Sequence, residues 1–188
     1  MLFRSLAVVV GLLGTVSATV IPRVLSGLDD ARVAGAARYM SSRLVEARLD
    51  AVRRSRHVAV RFTSSQGVYS FTAYADGNGN GVLASDILAG IDRPIGGPEK
   101  LSDNFRRVEF GTQPGLPAID KGGTAPGSDP IVLGTSNSVS FSALGGATPG
   151  TIYLTGPSKA QWAVRITGTT GRVRTYRFDR RSGKWVPM

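Results

Sequence analysis

A loop in the first half of the chain carries the oxygen-bearing side chains that calcium prefers. Asp76, Asn78 and Asn80 alternate with glycines, and Gly81 stands where a calcium-binding loop turns sharply. Such a loop also needs a bidentate acid at its twelfth position, which Ile87 occupies here. The pattern therefore favours a polar turn over a metal site, and we predict no metal and no cofactor.

The chain offers few groups for catalysis. It contains no cysteine, which excludes thiolate nucleophiles, zinc ribbons and disulfides. His57 is its only histidine, so any Ser–His–acid mechanism would have to use it. The sequence has no nucleophile elbow, no dinucleotide-binding fingerprint and no phosphate-binding loop. We therefore predict no enzyme activity, no catalytic residue and no small-molecule substrate.

The carboxyl-terminal segment is strongly basic. From Ala160 onward it has seven basic side chains and one acid, a net charge of +6 out of +10 for the chain. The seven are Arg165, Arg172, Arg174, Arg177, Arg180, Arg181 and Lys184. Basic clusters attract nucleic acid or anionic lipid, although many are simply solvated surface. In a strand, Arg172 and Arg174 would share one face, where their guanidinium groups could grip successive phosphates.

The first element that must position these groups is an amino-terminal helix. Residues 1–21 are apolar apart from Arg4 and a few hydroxyl side chains, and at helical rise they reach about 30 Å, the thickness of a bilayer core. Pro22 then interrupts the helical hydrogen-bond ladder. We predict a transmembrane segment over residues 1–22. A secretory signal cleaved after Ala18, which would release a soluble exported protein, is the rival interpretation.

The helical pattern resumes after this segment. Apolar side chains recur every three or four residues, at Ala36, Met40, Leu44, Ala47 and Ala51. This period predicts an amphipathic helix ending near Arg54, within a second segment over residues 23–55. Its apolar face would lie on a domain formed by residues 56–188.

That domain is predicted to be rich in strands. Residues 57–63 and 68–74 alternate apolar and polar side chains, which predicts an antiparallel hairpin. Shorter strand candidates cover residues 108–110, 131–133, 138–142, 151–154, 162–167 and 172–178. Residues 90–101 and 111–129 are rich in glycine and proline and are predicted to be irregular loops. The fold class is α+β, with one long amino-terminal helix packed on antiparallel sheet.

Several of these segments together resemble a known family. The stretch from Val8 to Gly14 and on to Ile21-Pro22 looks like the amino-terminal helix of type IV pilins and type II secretion pseudopilins. The rest of the chain is similar to the GspH/FimT branch of minor pseudopilins. The similar segments are Ala36–Met40, Glu46–Arg48, Ala51–Arg54, Asp76–Gly81, Ser140–Ser142 with Gly145, Gly150–Leu154 and Gly171–Arg174.

The resemblance implies a pilin-like fold and a structural role in a type II secretion pseudopilus or a related type IV pilus-like filament. It implies a single-pass anchor in the plasma (inner) membrane, with the globular domain on the extracytoplasmic side. The implied partners are other pseudopilins or pilins and the inner-membrane assembly platform. The residues assigned to anchoring and filament packing are Leu6, Val9, Val10, Leu13, Gly14, Ile21 and Pro22.

The FimT side of the resemblance implies an alternative partner, DNA. In FimT-like members a Gly-Arg-x-Arg element near the carboxyl terminus is associated with DNA binding during uptake. The candidate DNA-binding residues carried over are Gly171, Arg172, Arg174, Arg177, Arg180, Arg181 and Lys184. The alternative function is therefore that of a DNA-binding minor pilin.

Two amino-terminal positions depart from the family pattern. Met1 stands where the family usually has phenylalanine, and Ser5 stands where it has a glutamate that helps neighbouring subunits align. Prepilin-peptidase cleavage and N-methylation are therefore not carried over to Met1.

Overall fold

A computed structural model describes the side chains of residues 27–120, 123, 125–134 and 136–188. Its first element, α1, is bounded by Leu2–Arg54 and is described here from Gly27 onward. The predicted helix end near Arg54 is confirmed. The predicted transmembrane segment, including the interruption at Pro22, lies outside the described residues.

In the described part of the chain, ten strands and two short helices follow α1. In chain order they are β1 (Val58–Ser65), β2 (Val68–Ala75), α2 (Ala84–Leu88), β3 (Arg93–Glu99), α3 (Leu101–Asn104), β4 (Glu109–Phe110), β5 (Ile131–Val132), β6 (Ser138–Phe141), β7 (Gly150–Thr155), β8 (Gln161–Ile166), β9 (Val173–Asp179) and β10 (Lys184–Pro187). The predicted α+β class, a long helix packed on antiparallel strands, is confirmed.

The strands form two antiparallel sheets rather than one. The N-terminal sheet has the order β3-β2-β1-β6, and the predicted hairpin is its β1–β2 pair. The C-terminal sheet has the order β10-β9-β8-β7-β4, with β5 also paired to β7. Strand β10 was not predicted. It forms because the turn after β9 places Trp185 opposite Phe178, which gives a short run of residues a partner strand.

Helix α1 supplies the surface on which both sheets pack. Its buried residues recur at helical spacing and include all five of the predicted apolar positions. Val33 and Ala37 are buried on the same face, although the sequence analysis did not single them out. This face joins the inward side chains of both sheets in one apolar core.

An aromatic cluster within this core joins the two sheets. Phe62 and Phe71 are cross-strand neighbours in the hairpin, with ring centroids 6.0 Å apart. Phe110 of β4 contacts them edge-on, at 5.6 and 6.3 Å. Such edge-to-face arrangements are favoured by the ring quadrupoles, so this cluster fixes the position of the C-terminal sheet against the hairpin.

The prediction of an irregular segment over residues 90–101 is wrong in part, because β3 lies within it. Pro94 and Gly96 are tolerated there since β3 is an edge strand and its pairing with β2 is shifted by a bulge. The strand is also tied to α1. Glu99 accepts hydrogen bonds from Tyr39 and Arg43, and its bond to Arg43 is the main cause of the raised pKa of that arginine.

Leu44 and Leu49 of α1 allow a matched test of the helix face. Leu44 is fully buried, whereas Leu49 is 48% exposed. We predict that Leu44→Ala lowers the free energy of unfolding by about 2–5 kcal/mol, because it leaves a cavity between helix and sheets. Leu49→Ala should lower it by less than about 1 kcal/mol. The measurement is denaturant unfolding of the full chain in detergent, followed by tryptophan fluorescence. Equal losses would contradict the assigned helix face.

Candidate functional site

Side chains along strand β9 alternate between the two faces of the C-terminal sheet, and this alternation determines which basic residues lie together. Arg174 lies directly opposite Arg165 of β8. Because Val164 and Ile166 of the same strand are in the core, these two arginines lie on the face that points away from α1. Arg172 precedes β9, but its carbonyl accepts a hydrogen bond from Thr167 at 2.9 Å, so the extended pairing continues through it. Arg172 and Arg174 therefore form one exposed basic pair, as their spacing predicted.

Arg177 lies on the other face of the same strand. It is opposite the buried Trp162, and its Nη1 atom is 3.9 Å from Oδ2 of Asp30 in α1. The indole of Trp162 donates a hydrogen bond to Oδ1 of Asp30 at 3.2 Å. Arg177 thus belongs to the contact between helix and sheet, and it does not extend the pair formed by Arg172 and Arg174.

The remaining basic candidates lie around the turn between β9 and β10. Arg180 donates a hydrogen bond to Oε1 of Gln113 at 3.0 Å, and Arg181 and Lys184 are exposed. Asp179 closes the turn by accepting hydrogen bonds from the Ser182 hydroxyl at 2.7 Å and the Arg181 backbone at 3.1 Å. These bonds lower the pKa of Asp179, the Ser182 hydroxyl having the largest effect, and keep its carboxylate occupied within the turn.

The seven candidate DNA-binding residues therefore do not form one track. Arg177 lies beside Asp30, and the β9–β10 turn follows it at the same end of β9, whereas Gly171 lies beside Arg48. Asp30 and Arg48 are about 27 Å apart along α1 at helical rise. The structure brings together Arg172 and Arg174 at one end of β9, and Arg180, Arg181 and Lys184 at the other.

Gly171 has a structural reason to be glycine. Its φ is +58°, and a Cβ added there would sit 2.2 Å from the carbonyl oxygen of Gly145. The Arg48 side chain approaches the same point and donates a hydrogen bond to that carbonyl at 3.2 Å. A side chain at position 171 would therefore separate the turn before β9 from α1 and from the loop after β6.

The C-terminal sheet carries an aromatic cluster that local sequence patterns did not predict. Trp185 lies between Tyr153 and Phe178 on the outward face of the C-terminal sheet, with ring centroids 5.8 and 5.2 Å away. Its indole donates a hydrogen bond to the carbonyl of Pro117 at 2.9 Å. Tyr153 is buried, and its burial raises its pKa. The cluster therefore forms a second, smaller apolar core under the loop containing Pro117. Strand pairing assembles these rings from three separate strands, which is why spacing alone did not reveal them.

In the loop from Asp76 to Gly81, which resembles a calcium-binding loop in sequence, backbone amides donate hydrogen bonds to the carboxylate. Asp76 is 3% exposed and accepts hydrogen bonds from the amides of Asn78, Gly79 and Gly81. Burial pushes the pKa of Asp76 upward, but the three backbone donors outweigh it and hold that pKa below its usual range. The predicted polar turn is confirmed as a turn organised by its own carboxylate.

A second carboxylate completes that loop. Asp92 is 1% exposed and accepts hydrogen bonds from the amides of Gly77 and Leu83, both at 2.9 Å. Asp86 accepts bonds from the side-chain amides of Asn78 and Asn80. Within the described ranges there is no group of three or more histidine, cysteine, aspartate or glutamate side chains placed to hold a metal ion.

His57 joins α1 to the N-terminal sheet. It follows the end of the helix, and its carbonyl accepts a hydrogen bond from the Asp76 amide at 3.0 Å. The backbone of this residue thus links the start of β1 to the end of β2.

The candidate anchor residues, from Leu6 to Pro22, lie outside the described residues. Over the part of the chain that is described, no helix is both long and apolar enough to cross a bilayer.

A long amino-terminal helix packed against antiparallel strands defines an α+β protein of the pilin-like class. Residues 36–171 match the model of the family described as type II transport protein GspH. This match covers more than two thirds of the chain, so the chain belongs to the GspH family and the predicted resemblance is confirmed. No curated protein and no solved structure matches the chain significantly.

Gly171 and Gly183 provide a matched test of the close approach. Both have positive φ, but a Cβ at Gly183 would meet nothing within 4 Å. We predict that Gly171→Ala lowers the free energy of unfolding by about 1–3 kcal/mol more than Gly183→Ala, because only the former forces atoms apart. Denaturant unfolding of both full-length variants measures the difference. Equal losses would mean that backbone conformation alone requires the glycine.

Proposed function

We propose that the chain is a minor pseudopilin, a non-enzymatic structural subunit of a type II secretion pseudopilus or a related pilus-like filament. The observation that carries this proposal is the GspH family match over residues 36–171. The matched region begins within α1 and continues through the N-terminal sheet and as far as β8 of the C-terminal sheet, so it includes most of the helix face on which the domain is built. A helix-backed domain of this kind is suited to repeated packing beside copies of related subunits.

The segment before this domain supplies the proposed anchor. Residues 1–22 are apolar enough in sequence to insert into a bilayer, with Leu6, Val9, Val10 and Leu13 facing lipid or neighbouring helices. We place the anchor in the inner membrane and the domain on its extracytoplasmic side. The partners are other pseudopilins and the membrane assembly platform.

The exposed side of α1 gives a surface for lateral contacts. Val45, Leu49 and Val52 are separated by four and three residues and are each 40–48% exposed. They form an apolar stripe opposite the buried face of the helix. Packing of this stripe against a neighbouring subunit would remove it from water when the filament forms.

Membrane attachment is testable with charged substitutions. We predict that the full-length chain fractionates with membranes and is released by detergent but not by alkaline carbonate. Val10→Arg/Leu13→Arg should move it substantially to the soluble fraction, since each charge near the centre of a span costs about 2.5–3.5 kcal/mol of insertion free energy.

The matched control is Val45→Arg/Leu49→Arg, which places the same charges on the exposed face of α1 and should leave the chain in membranes. Recovery of the unmodified protein in the soluble extracytoplasmic fraction with Thr19 as its first residue would instead support a cleaved signal.

DNA binding is the second candidate function, and one observation favours it. Arg172 and Arg174 are exposed on one face of the C-terminal sheet, where Arg165 lies beside them on the neighbouring strand. Guanidinium groups arranged in this way bind phosphate oxygens bidentately. The expected contacts are to the backbone and not to base edges, so binding would be independent of sequence and sensitive to salt.

The DNA proposal predicts a defined salt dependence. Removing two phosphate contacts through Arg172→Gln/Arg174→Gln should weaken duplex binding and reduce the slope of log affinity against log salt by about 1.8. The measurement is a titration of the full chain in detergent with labelled duplex at several salt concentrations.

The control is Arg53→Gln/Arg54→Gln, which removes two exposed charges from the last turn of α1. If both variants bind alike, the Arg172–Arg174 pair is only solvated surface and the pseudopilin role stands without DNA binding.

A further inference from the structure

Exposed basic side chains surround the end of the domain at which α1 enters it. Contacts along the helix define this end. The turn before β8 packs there, since a Cβ added at Gly156 would lie 2.5 Å from Val33, and Phe105 packs on Gly35. We name this surface the entry rim, and its basic members are Arg106, Arg107, Lys159, Arg180, Arg181 and Lys184.

The charge of the entry rim is not neutralised within the domain. The two acids of α1 nearest to it are already paired, Asp29 with Arg32 at 2.9 Å and Asp30 with Arg177 at 3.9 Å. Asp179 stays ionised in its own turn, where the Ser182 hydroxyl and the Arg181 backbone bind it, and in the part of the chain that the structure describes it forms no ion pair with a rim side chain.

Among the described residues, none of the six rim side chains forms an ion pair. Among the described residues of the neighbouring elements α3 and β4, Asp103 and Glu109 carry exposed carboxylates. Six cations against the carboxylates of Asp103, Glu109 and Asp179 leave a net positive surface.

The entry rim lies close to the apolar amino-terminal segment, and therefore close to the membrane in which that segment is proposed to be anchored. The apolar segment ends at Pro22, and the residues from Pro22 to Asp30 span about 12 Å at helical rise. If that segment lies in a bilayer, Asp30 is only about one and a half Debye lengths beyond its end, the Debye length being about 8 Å at physiological salt. The rim at this end of the domain is then close enough to the headgroups to feel the part of their field that salt does not screen. The other basic pair, Arg172 and Arg174, lies at the far end of β9 and is held away from the membrane.

We propose that the entry rim binds the anionic headgroups of the membrane in which the chain is anchored. This inference rests on the anchoring part of the proposed function. Lysine and arginine side chains bind the phosphate oxygens of anionic lipids, and juxtamembrane basic clusters are attracted to such surfaces. Headgroup binding would hold the domain against the bilayer before it enters a filament, and removal of the subunit from the membrane would release the rim.

The absence of cysteine gives a direct measurement, because a single introduced cysteine can be labelled uniquely. A fluorophore at Ser182→Cys reports on the rim, and one at Thr170→Cys reports on the far end of β9. The full chain is reconstituted in vesicles of phosphatidylcholine alone, or with phosphatidylglycerol, that carry a headgroup acceptor. Energy transfer from position 182 should be higher in the anionic vesicles and should fall to the zwitterionic level as salt is raised. Transfer from position 170 should depend little on lipid charge.

Two charge variants test which residues are responsible. Arg181→Gln/Lys184→Gln should lower the ratio of surface-bound to released domain roughly fivefold for each charge removed. Arg172→Gln/Arg174→Gln removes the same charge from the far end and should change that ratio little. Equal effects of the two variants, or equal transfer from position 182 in both lipids, would overturn the proposal while leaving the anchor intact.

Two further outcomes would overturn the proposal that the entry rim binds lipid headgroups. Failure of the chain to enter vesicles of either composition would overturn the anchor and this inference together. Loss of duplex DNA binding in the Arg181→Gln/Lys184→Gln variant, with no lipid dependence at position 182, would identify the rim as a nucleic-acid surface and overturn the lipid assignment.

Discussion

The buried face of α1 is the one surface on which both sheets pack, and the arrangement of the domain depends on it. Met40 and Leu44 fill the space between the sheets, while Ala36, Ala37 and Ala47 let strands approach the helix closely. Each sheet buries its inner face partly against this helix, because a sheet with one apolar face needs another element to cover that face. A force that displaces or holds α1 is therefore transmitted to both sheets.

Buried and half-buried carboxylates organise the segments that regular pairing does not. Glu99 binds two side chains of α1 and thereby holds the edge strand β3. Asp76 and Asp92 accept hydrogen bonds from five backbone amides in the loop after β2. In this fold the acids meet backbone and arginine donors internally, which leaves most of the exposed charge positive.

That positive charge is divided between two ends of the domain because side chains alternate along β9 and because the strand runs alongside α1. Arg172 and Arg174 face outward near Arg48, whereas the β9–β10 turn lies near Asp30, where the helix enters. A filament subunit would present these two ends to different surroundings, one near the membrane and one away from it. The aromatic cluster around Trp185 connects the outward face of the C-terminal sheet to the loop containing Pro117.

Local periodicity was enough to predict the amphipathic helix, the β1–β2 hairpin and most later strands. Apolar residues that recur every 3.6 or every 2 positions can be recognised in the sequence without knowledge of the fold. The family resemblance was also visible in the order of short segments. The edge strand β3 was not predictable, because its prolines and glycines become acceptable only beside β2 and with Glu99 bound to α1. The grouping of the basic residues and of the three aromatic rings was likewise decided by tertiary structure. Strand register and helix contact determine which side chains share a face, and those pairings join residues far apart in the chain.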